Sequence, residues 1–458
     1  MGKAKTVEIK ITDIKFPNIG IGRTQGGSVA VKNALPGQRL LVRAGRSGRR
    51  MKGRVLEVLE RADYEIKPPC DAFGICGGCA FLSLPYAKEL KIKADMVREL
   101  LAAFVPDGAW GAPVPAPAEL YYRNKMEFSF GDDGCEDGEL TLGMRRRGSY
   151  YEAVNADDCL ICHADFGAIV AFTREYFRAR GHKFYHRRNM TGSLRHLVVR
   201  RGFFTGEILV NLVTAPIPEN GDYDYADYAD HLAALPLNGK IVSVLHTQNS
   251  SPADVVLPEQ VNLLYGRDYI YDELLGLRFK ISPFSFFQTN SAAAELLYGA
   301  VREFAGDVAG KTVFDLYCGC GTIAQVMSVG AANVIGIELV EEAVIAANEN
   351  AAANGLNNCR FICGDVRHTV RDLSVKPDLI ILDPPREGIH PKALVDIIGF
   401  DAPRMIYISC KASSFAKDLE VLTAAGYNVE QVRLHDLFPK TANVEVVALL
   451  VKDGMGNE

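Results

Sequence analysis

Apolar and polar positions follow one period at the head of the chain and another toward its end. In Val7–Ile14, Ser28–Lys32, Arg39–Ala44 and Gly53–Leu59, apolar residues alternate with polar ones or are rich in β-branched types. Period-two runs of this kind predict half-buried strands. Gly20, Gly22, Gly26, Gly27, Pro36 and Gly37 separate the runs, so the segment predicts a small OB-like β-barrel. From Pro85 to Phe104 the period becomes helical, with Leu90, Val97, Leu100, Leu101 and Phe104 on one face and Lys and Glu opposite. Pro106 to Pro117 predicts a Pro/Gly/Ala loop. Residues 121–270 predict an α+β region of moderate strands. Within it the Asp/Tyr repeat of 222–230 predicts an acidic surface loop.

Residues 310–458 alternate strand and helix most clearly. Strands are predicted at Thr312–Leu316, Val334–Ile337, Arg360–Ile362, Asp378–Leu382, Arg404–Ile408, Tyr427–Leu434 and Glu445–Val451. Helices are predicted at Ile323–Val329, Glu341–Asn354, Pro391–Ile398 and Ser414–Ala424. Seven strands ending in a hairpin is the pattern of S-adenosylmethionine methyltransferases, not of the six-stranded dinucleotide fold. The predicted fold class is α/β: a Rossmann-like seven-stranded methyltransferase domain, a central α+β domain and an N-terminal barrel. The expected divisions are 1–62, 63–275 and 276–458.

Composition narrows the class. The chain has 458 residues, 48% hydrophobic and 23% charged, which excludes disorder for the bulk and allows a large core. No apolar run approaches the ~18 residues of a spanning helix, so no membrane partner is expected. There are eleven cysteines but no dense short framework. Met1 to Lys10 alternates charge with apolar residues and does not read as a secretory leader. The expected location is cytoplasmic, with reduced thiols free for metal binding or chemistry. The net charge of −5 conceals a partition. Residues 1–61 hold fourteen Lys and Arg against four acids, a local +10, and the remainder carries −15. Arg43 to Arg54 contains six cations and no acid, a density that favours RNA. Arg123 to Lys125, Arg145 to Arg147 and Arg187-Arg188 are smaller basic clusters, each a phosphate contact or a solvated face.

Cys70, Cys76 and Cys79 fall within ten residues, with Gly77-Gly78 between the last two. Glycines let the chain turn tightly around one inorganic centre. A cluster or a tetrahedral zinc needs a fourth thiolate, and Cys159 and Cys162 are the candidates. Spacing alone leaves both the metal and the fourth ligand open.

The first strand of the C-terminal region ends in Asp315-Leu316-Tyr317-Cys318-Gly319-Cys320-Gly321-Thr322, a turn that lets a ligand approach the backbone. The next strand ends at Glu338, placed to accept ribose hydroxyls. Asp365 ends the third, placed to face an adenine amino group. The fourth ends in Asp383-Pro384-Pro385-Arg386, a turn the prolines make rigid. The fifth ends in Ser409-Cys410-Lys411, and Glu445 follows the last turn. A strand-end thiol and a carboxylate are the two groups that methylation of a uracil carbon 5 requires. The thiolate adds to carbon 6, and the base later removes the carbon 5 proton.

These residues resemble the RNA 5-methyluridine methyltransferases, the uracil-5-methyltransferases of 23S ribosomal RNA and transfer RNA, over nearly the whole chain. The resemblance implies a TRAM domain at the head and a [4Fe-4S] cluster on Cys70, Cys76, Cys79 and Cys159. Ser282-Pro283 to Asn290 is similar to the family's SPxxFFQxN segment, so Gln288 is implied to contact cofactor or target base. Tyr317, Thr322, Glu338, Asp365 and Asp383 fall on cofactor positions, Cys410 on the nucleophile and Glu445 on the base. Three features depart from the family: Lys411-Ala412-Ser413 replaces a Pro-containing turn, Asn443 replaces a His, and Lys440 replaces a common polar residue. The transfer RNA branch lacks barrel and cluster, so the implied substrate is 23S ribosomal RNA and the implied state a monomer. The competing readings are a transfer RNA enzyme, an amino-group methyltransferase using Asp383-Pro384-Pro385, and an RNA-binding assembly factor with a relic catalytic domain.

Overall fold

The computed structural model describes residues 5–454 except 25–26, 48–49, 135–137, 217–224, 252, 254–255 and 257. Lys3, Arg49, Cys135 and the 222–224 part of the acidic stretch therefore lie outside the described residues, as does the side chain of Arg50.

Five strands close the N-terminal barrel: β1 (Lys5–Lys15), β2 (Ile19–Thr24), β3 (Gly27–Lys32), β4 (Arg39–Ser47) and β5 (Arg50–Glu60), in the order β1-β2-β3-β5-β4. Its interior is Ile9, Ile11, Val29, Val31, Leu40, Val42 and Ala44. Strand β2 was not among the sequence-predicted strands, because its glycines read as breakers. Their reason is packing: a Cβ on Gly20 would lie 2.6 Å from the Ala34 carbonyl oxygen, and one on Gly22 2.9 Å from Ile9.

The cysteine loop follows, then helix α1 (Tyr86–Leu101). The Pro/Gly/Ala stretch beyond α1 is more ordered than a loop. It makes a short 3₁₀ turn at Asp107–Ala109, and Trp110 and Val114 then bridge to Val432 and His435. The central sheet holds β6 (Lys125–Gly131), β7 (Thr141–Arg145), β8 (Ala153–Asn155), β9 (Leu194–Arg201), β10 (Glu207–Thr214), β11 (Lys240–Gln248) and β12 (Gln260–Gly266), ordered β12-β11-β10-β9-β6-β7-β8. Helices α2 (Ala164–Ala179) and α3 (Tyr225–Ala233) complete its core. Helix α3 corrects the predicted surface loop. Tyr228 is fully buried and shares a 2.9 Å hydroxyl hydrogen bond with Thr173, so part of an acidic stretch packs as an amphipathic helix.

A hairpin of β13 (Ile270–Leu274) and β14 (Leu277–Ile281) leads to α4 (Ser291–Ala305), capped by Asn290. The second sheet then runs through β15 (Thr312–Leu316), α5 (Thr322–Ser328), β16 (Asn333–Glu338), α6 (Glu341–Ala353), β17 (Cys359–Cys363), α7 (Val366–Thr369), β18 (Leu379–Leu382), α8 (Pro391–Gly399), β19 (Arg404–Ser409), α9 (Ala412–Ala424), β20 (Tyr427–His435) and β21 (Glu445–Lys452). Its order is β17-β16-β15-β18-β19-β21-β20, with β21 antiparallel to both neighbours. Side chains alternate between two cores. Val313, Ile381 and Ile406 face α4–α6; Phe314, Ile380 and Met405 face α8, α9 and also α1, through Ala94, Val97 and Leu101. The predicted strands and helices of this region are all present, with ends shifted by one or two residues. Among the described residues no helix is long and apolar enough to cross a membrane.

Candidate active site

The carboxyl ends of the parallel strands gather the predicted side chains at one edge. After β15 the chain turns sharply: Tyr317, Gly319 and Gly321 take φ of 68°, 54° and 74°. A Cβ on Gly321 would lie 2.5 Å from Phe361, whereas one on Gly319 would meet nothing within 4 Å. Gly321 is thus required by packing, and Gly319 leaves space for a ligand. Glu338 supports this turn, its two oxygens accepting from the backbone N–H of Gly319 (3.0 Å) and Val340 (2.9 Å). Each carboxylate oxygen keeps further acceptor capacity for a hydroxyl. Asp315 is buried beneath, with one oxygen bonded to the Ala324 N–H and the other without a hydrogen-bond partner among the described residues. Burial and the Asp383 charge push its carboxyl up.

Asp365 stands between β17 and α7. It caps α7 through the Arg367 N–H (3.0 Å), and the Arg367 guanidinium closes on its other oxygen (Nε 2.8 Å), which holds its carboxyl below the usual range. Gln288 is buried, and its carbonyl accepts from Asn124 Nδ2 at 3.1 Å. Its side chain reaches the Tyr298 hydroxyl, which lies 3.4 Å from Thr322 Oγ1. The central sheet also contributes Arg200, which donates to the Ser285 carbonyl, three residues before Gln288. Phe286, next in the chain, is 65% exposed.

Asp383, Cys410 and Glu445 converge on one point. The pairing of β19 with β21 ends at Ser409 opposite Val446, and Cys410, the first residue beyond β19, lies close enough to Glu445, the first residue of β21, for that carboxylate to act on its thiol. Burial, then the Glu445 and Asp383 charges, pushes the Cys410 thiol up to about 11, while Arg386 pulls it down. Burial raises the Asp383 carboxyl to about 7. Glu445 is pushed up by burial and Asp383, and Arg386 opposes this. Arg386, quoted in the sequence but given no role there, is the cation among these acids. It also donates to Asn443 Oδ1 at 3.2 Å, so the residue that replaces the family's His is tied to the Pro384-Pro385 turn. Sequence spacing could not show this contact, because it joins the ends of two non-neighbouring segments.

The cysteines form a second cluster. Cys70 and Cys159 lie close enough to Cys76 and Cys79 to disfavour the thiolates of those two residues. Burial, then these neighbours, pushes the Cys79 thiol to about 12. Arg147 clamps the loop, donating to the carbonyls of Cys76 (2.9 Å) and Cys79. Arg145 binds the Phe130 and Tyr151 carbonyls, and Arg146 pairs with Glu152 at 2.8 Å, so this basic cluster is engaged within the protein. Cys162 is buried in the central core behind Cys159, its thiol turned toward it. No three His, Cys, Asp or Glu side chains among the described residues close around a single metal ion.

The tRNA (Uracil-5-)-methyltransferase family matches residues 258–453. An uncharacterized RNA methyltransferase from Clostridium tetani is 47% identical over 456 residues, 99% of each chain. A second, from Caldanaerobacter subterraneus, is 45% identical over 99% of this chain and 100% of its own. The chain belongs to the RNA uracil-5-methyltransferase family. It is an S-adenosylmethionine-dependent enzyme that methylates RNA. The crystal structure of the Pyrococcus abyssi tRNA (uracil-54, C5)-methyltransferase with S-adenosyl-L-homocysteine is 25% identical, with a TM-score of 0.76, over 97% of this chain and 100% of that one.

Proposed function

We propose that the protein methylates carbon 5 of a uridine in 23S ribosomal RNA through a covalent adduct on Cys410. The observation that carries this reading is the convergence of Cys410, just past β19, with Glu445 at the start of β21, beside Asp383 and Arg386. The Cys410 thiolate adds to carbon 6 of the uracil, and its electron pair passes into the ring as an enolate. S-adenosylmethionine, when bound, supplies an electrophilic methyl group to carbon 5. Glu445 then takes the carbon 5 proton, and the carbon–sulfur bond breaks to return the thiolate. A carboxyl whose affinity for protons is raised by burial is a stronger base for that removal. Arg386 supplies the positive charge that lets Cys410 ionise near two acids.

Gln288, Tyr317, Thr322, Glu338, Asp365 and Asp383 are the proposed cofactor contacts, Asp365 by exchanging its Arg367 partner. Cys70, Cys76, Cys79 and Cys159 are the proposed ligands of a [4Fe-4S] cluster, which fits their mutual proximity and the placement of Cys162 in the core. Protein purified without oxygen is then brown with about four irons per chain; a colourless protein with one zinc contradicts the assignment. The barrel is the proposed TRAM domain. Its register sets Arg43 opposite Arg54 and Gly45 opposite Lys52, and Arg43, Arg46, Lys52 and Arg54 are exposed with no carboxylate partner among the described residues. Like charges paired across strands are unfavourable alone and suit a polyanion. The divisions 1–62, 63–275 and 276–458, a monomeric state and a cytoplasmic location complete the proposal. The P. abyssi structure's transfer RNA activity supports a second reading, a transfer RNA substrate. Mass spectrometric mapping of a host with and without the gene separates them: a methyl group gained on 23S RNA supports the first, and a gain on transfer RNA alone replaces it.

A further inference from the structure

The nine-residue connection from β20 to β21 delivers Glu445 to the site, and it is held from outside its own sheet. Its carbonyls are taken in succession. Asn290 Nδ2 donates to Leu437 (3.0 Å), Lys93 Nζ to Phe438 (3.1 Å) and the Tyr122 hydroxyl to Pro439 (2.9 Å). The backbone N–H groups of Ala80 and Phe81, immediately after Cys79, both donate to the Lys440 carbonyl, at 2.8 and 3.0 Å.

Beneath this connection lies a set of four buried charges. Lys93 Nζ is 2.8 Å from Glu89 and 2.9 Å from Asp436, with all three side chains inaccessible. Lys440 completes the set: its N–H donates to Glu89 Oε1 (2.6 Å) and its ammonium lies 3.5 Å from Glu89 Oε2 and 2.7 Å from Glu119. Lys440 is also a departure from the family pattern and takes a φ of 65°. Four buried charges contribute little net stability, since their desolvation offsets their attraction. A buried network does fix one arrangement against its alternatives. Here what it fixes is the backbone that leads to Glu445.

We propose that Lys440 and Glu89 are positioning residues for Glu445, linking α1 and the turn after Cys79 to the placement of the proton acceptor. This rests on the reading of Glu445 as the base. A slack connection leaves the Cys410 addition intact and slows the later proton removal, so the covalent RNA adduct accumulates.

The test uses the full-length enzyme purified without oxygen, RNA tritiated at uridine carbon 5, and a denaturing gel for the adduct. In Lys440→Met, kcat for tritium release falls at least about tenfold, KM for RNA stays within about twofold of wild type, and an adduct band appears; Lys440→Arg recovers part of kcat. The charge-balanced Glu89→Gln/Lys440→Met variant, which leaves Lys93 paired with Asp436, shows the same adduct and guards against a folding defect in the single variant. Unchanged kcat in both, or a rise in KM without adduct, overturns the proposal. Glu445→Gln is the reference: if it traps adduct and the Lys440 variants do not, positioning fails while the base assignment stands. If Glu445→Gln traps none, the base assignment itself fails.

Discussion

Three acidic groups around one cation make the chemistry of Cys410 depend on Arg386. The guanidinium opposes the burial and the two carboxylates that raise the thiol to about 11. Replacing Arg386 by Gln removes that opposition, so the thiolate fraction at a given pH falls. The rising limb of kcat/KM moves to higher pH by about one unit, and the rate at pH 7.5 drops about tenfold; a superimposable pH profile contradicts the assignment. Asp383 has the opposite sign. In Asp383→Asn, one charge that disfavours the thiolate is gone, so site-resolved alkylation of Cys410 at pH 8 becomes faster. The same change relieves a buried carboxyl whose folded-state affinity for protons is raised to about 7. Ionising that group is penalised only in the folded state, so wild-type stability falls as pH rises from the unfolded carboxylate range through 7. Asp383→Asn lacks that loss, and its melting temperature exceeds wild type at pH 8 by a few degrees.

At the scale of elements, the β4–β5 ribbon is the clearest charged device. Neutralising Arg43 and Arg54 together as Gln removes two phosphate contacts. The slope of log affinity against log salt for single-stranded RNA then shrinks by about 1.4, with cofactor affinity unchanged. An unaltered slope removes the ribbon from the RNA path. The strands of the C-terminal sheet were legible because each is a short apolar run bounded by a turn signal and followed by a helical period. The acids at their ends were legible because a strand end is fixed once the strand is. Strand β2 was not, since glycines chosen for close approach to Ala34 and Ile9 look like loop glycines in sequence. Helix α3 was not, since its buried Tyr228 is one residue in an Asp/Tyr repeat. The contacts of Arg386 and Lys440 were hidden for a different reason: their partners, Asn443 and Glu89, come from segments 57 and 351 residues away.

Across the whole molecule, the parts lean on one another more than linear divisions suggest. Helix α1 follows the cysteine loop yet packs into the core of the methyltransferase sheet. Leu35 of the barrel is buried with Phe81, Leu84, Ile92 and Met96 of the following segment. Deleting residues 1–61 therefore has two effects. RNA affinity and its salt slope fall more than cofactor affinity, and the remainder melts at lower temperature because that apolar cluster is uncovered. Equal salt slopes with and without the barrel would show that the basic head is not an RNA arm. These relations converge on one chemical claim, that the edge of the sheet activates a uracil ring through Cys410. Release of tritium from RNA labelled at uridine carbon 5, in the presence of S-adenosylmethionine, measures it directly. Wild-type protein releases tritium and Cys410→Ala releases none; full release by Cys410→Ala would contradict the covalent mechanism.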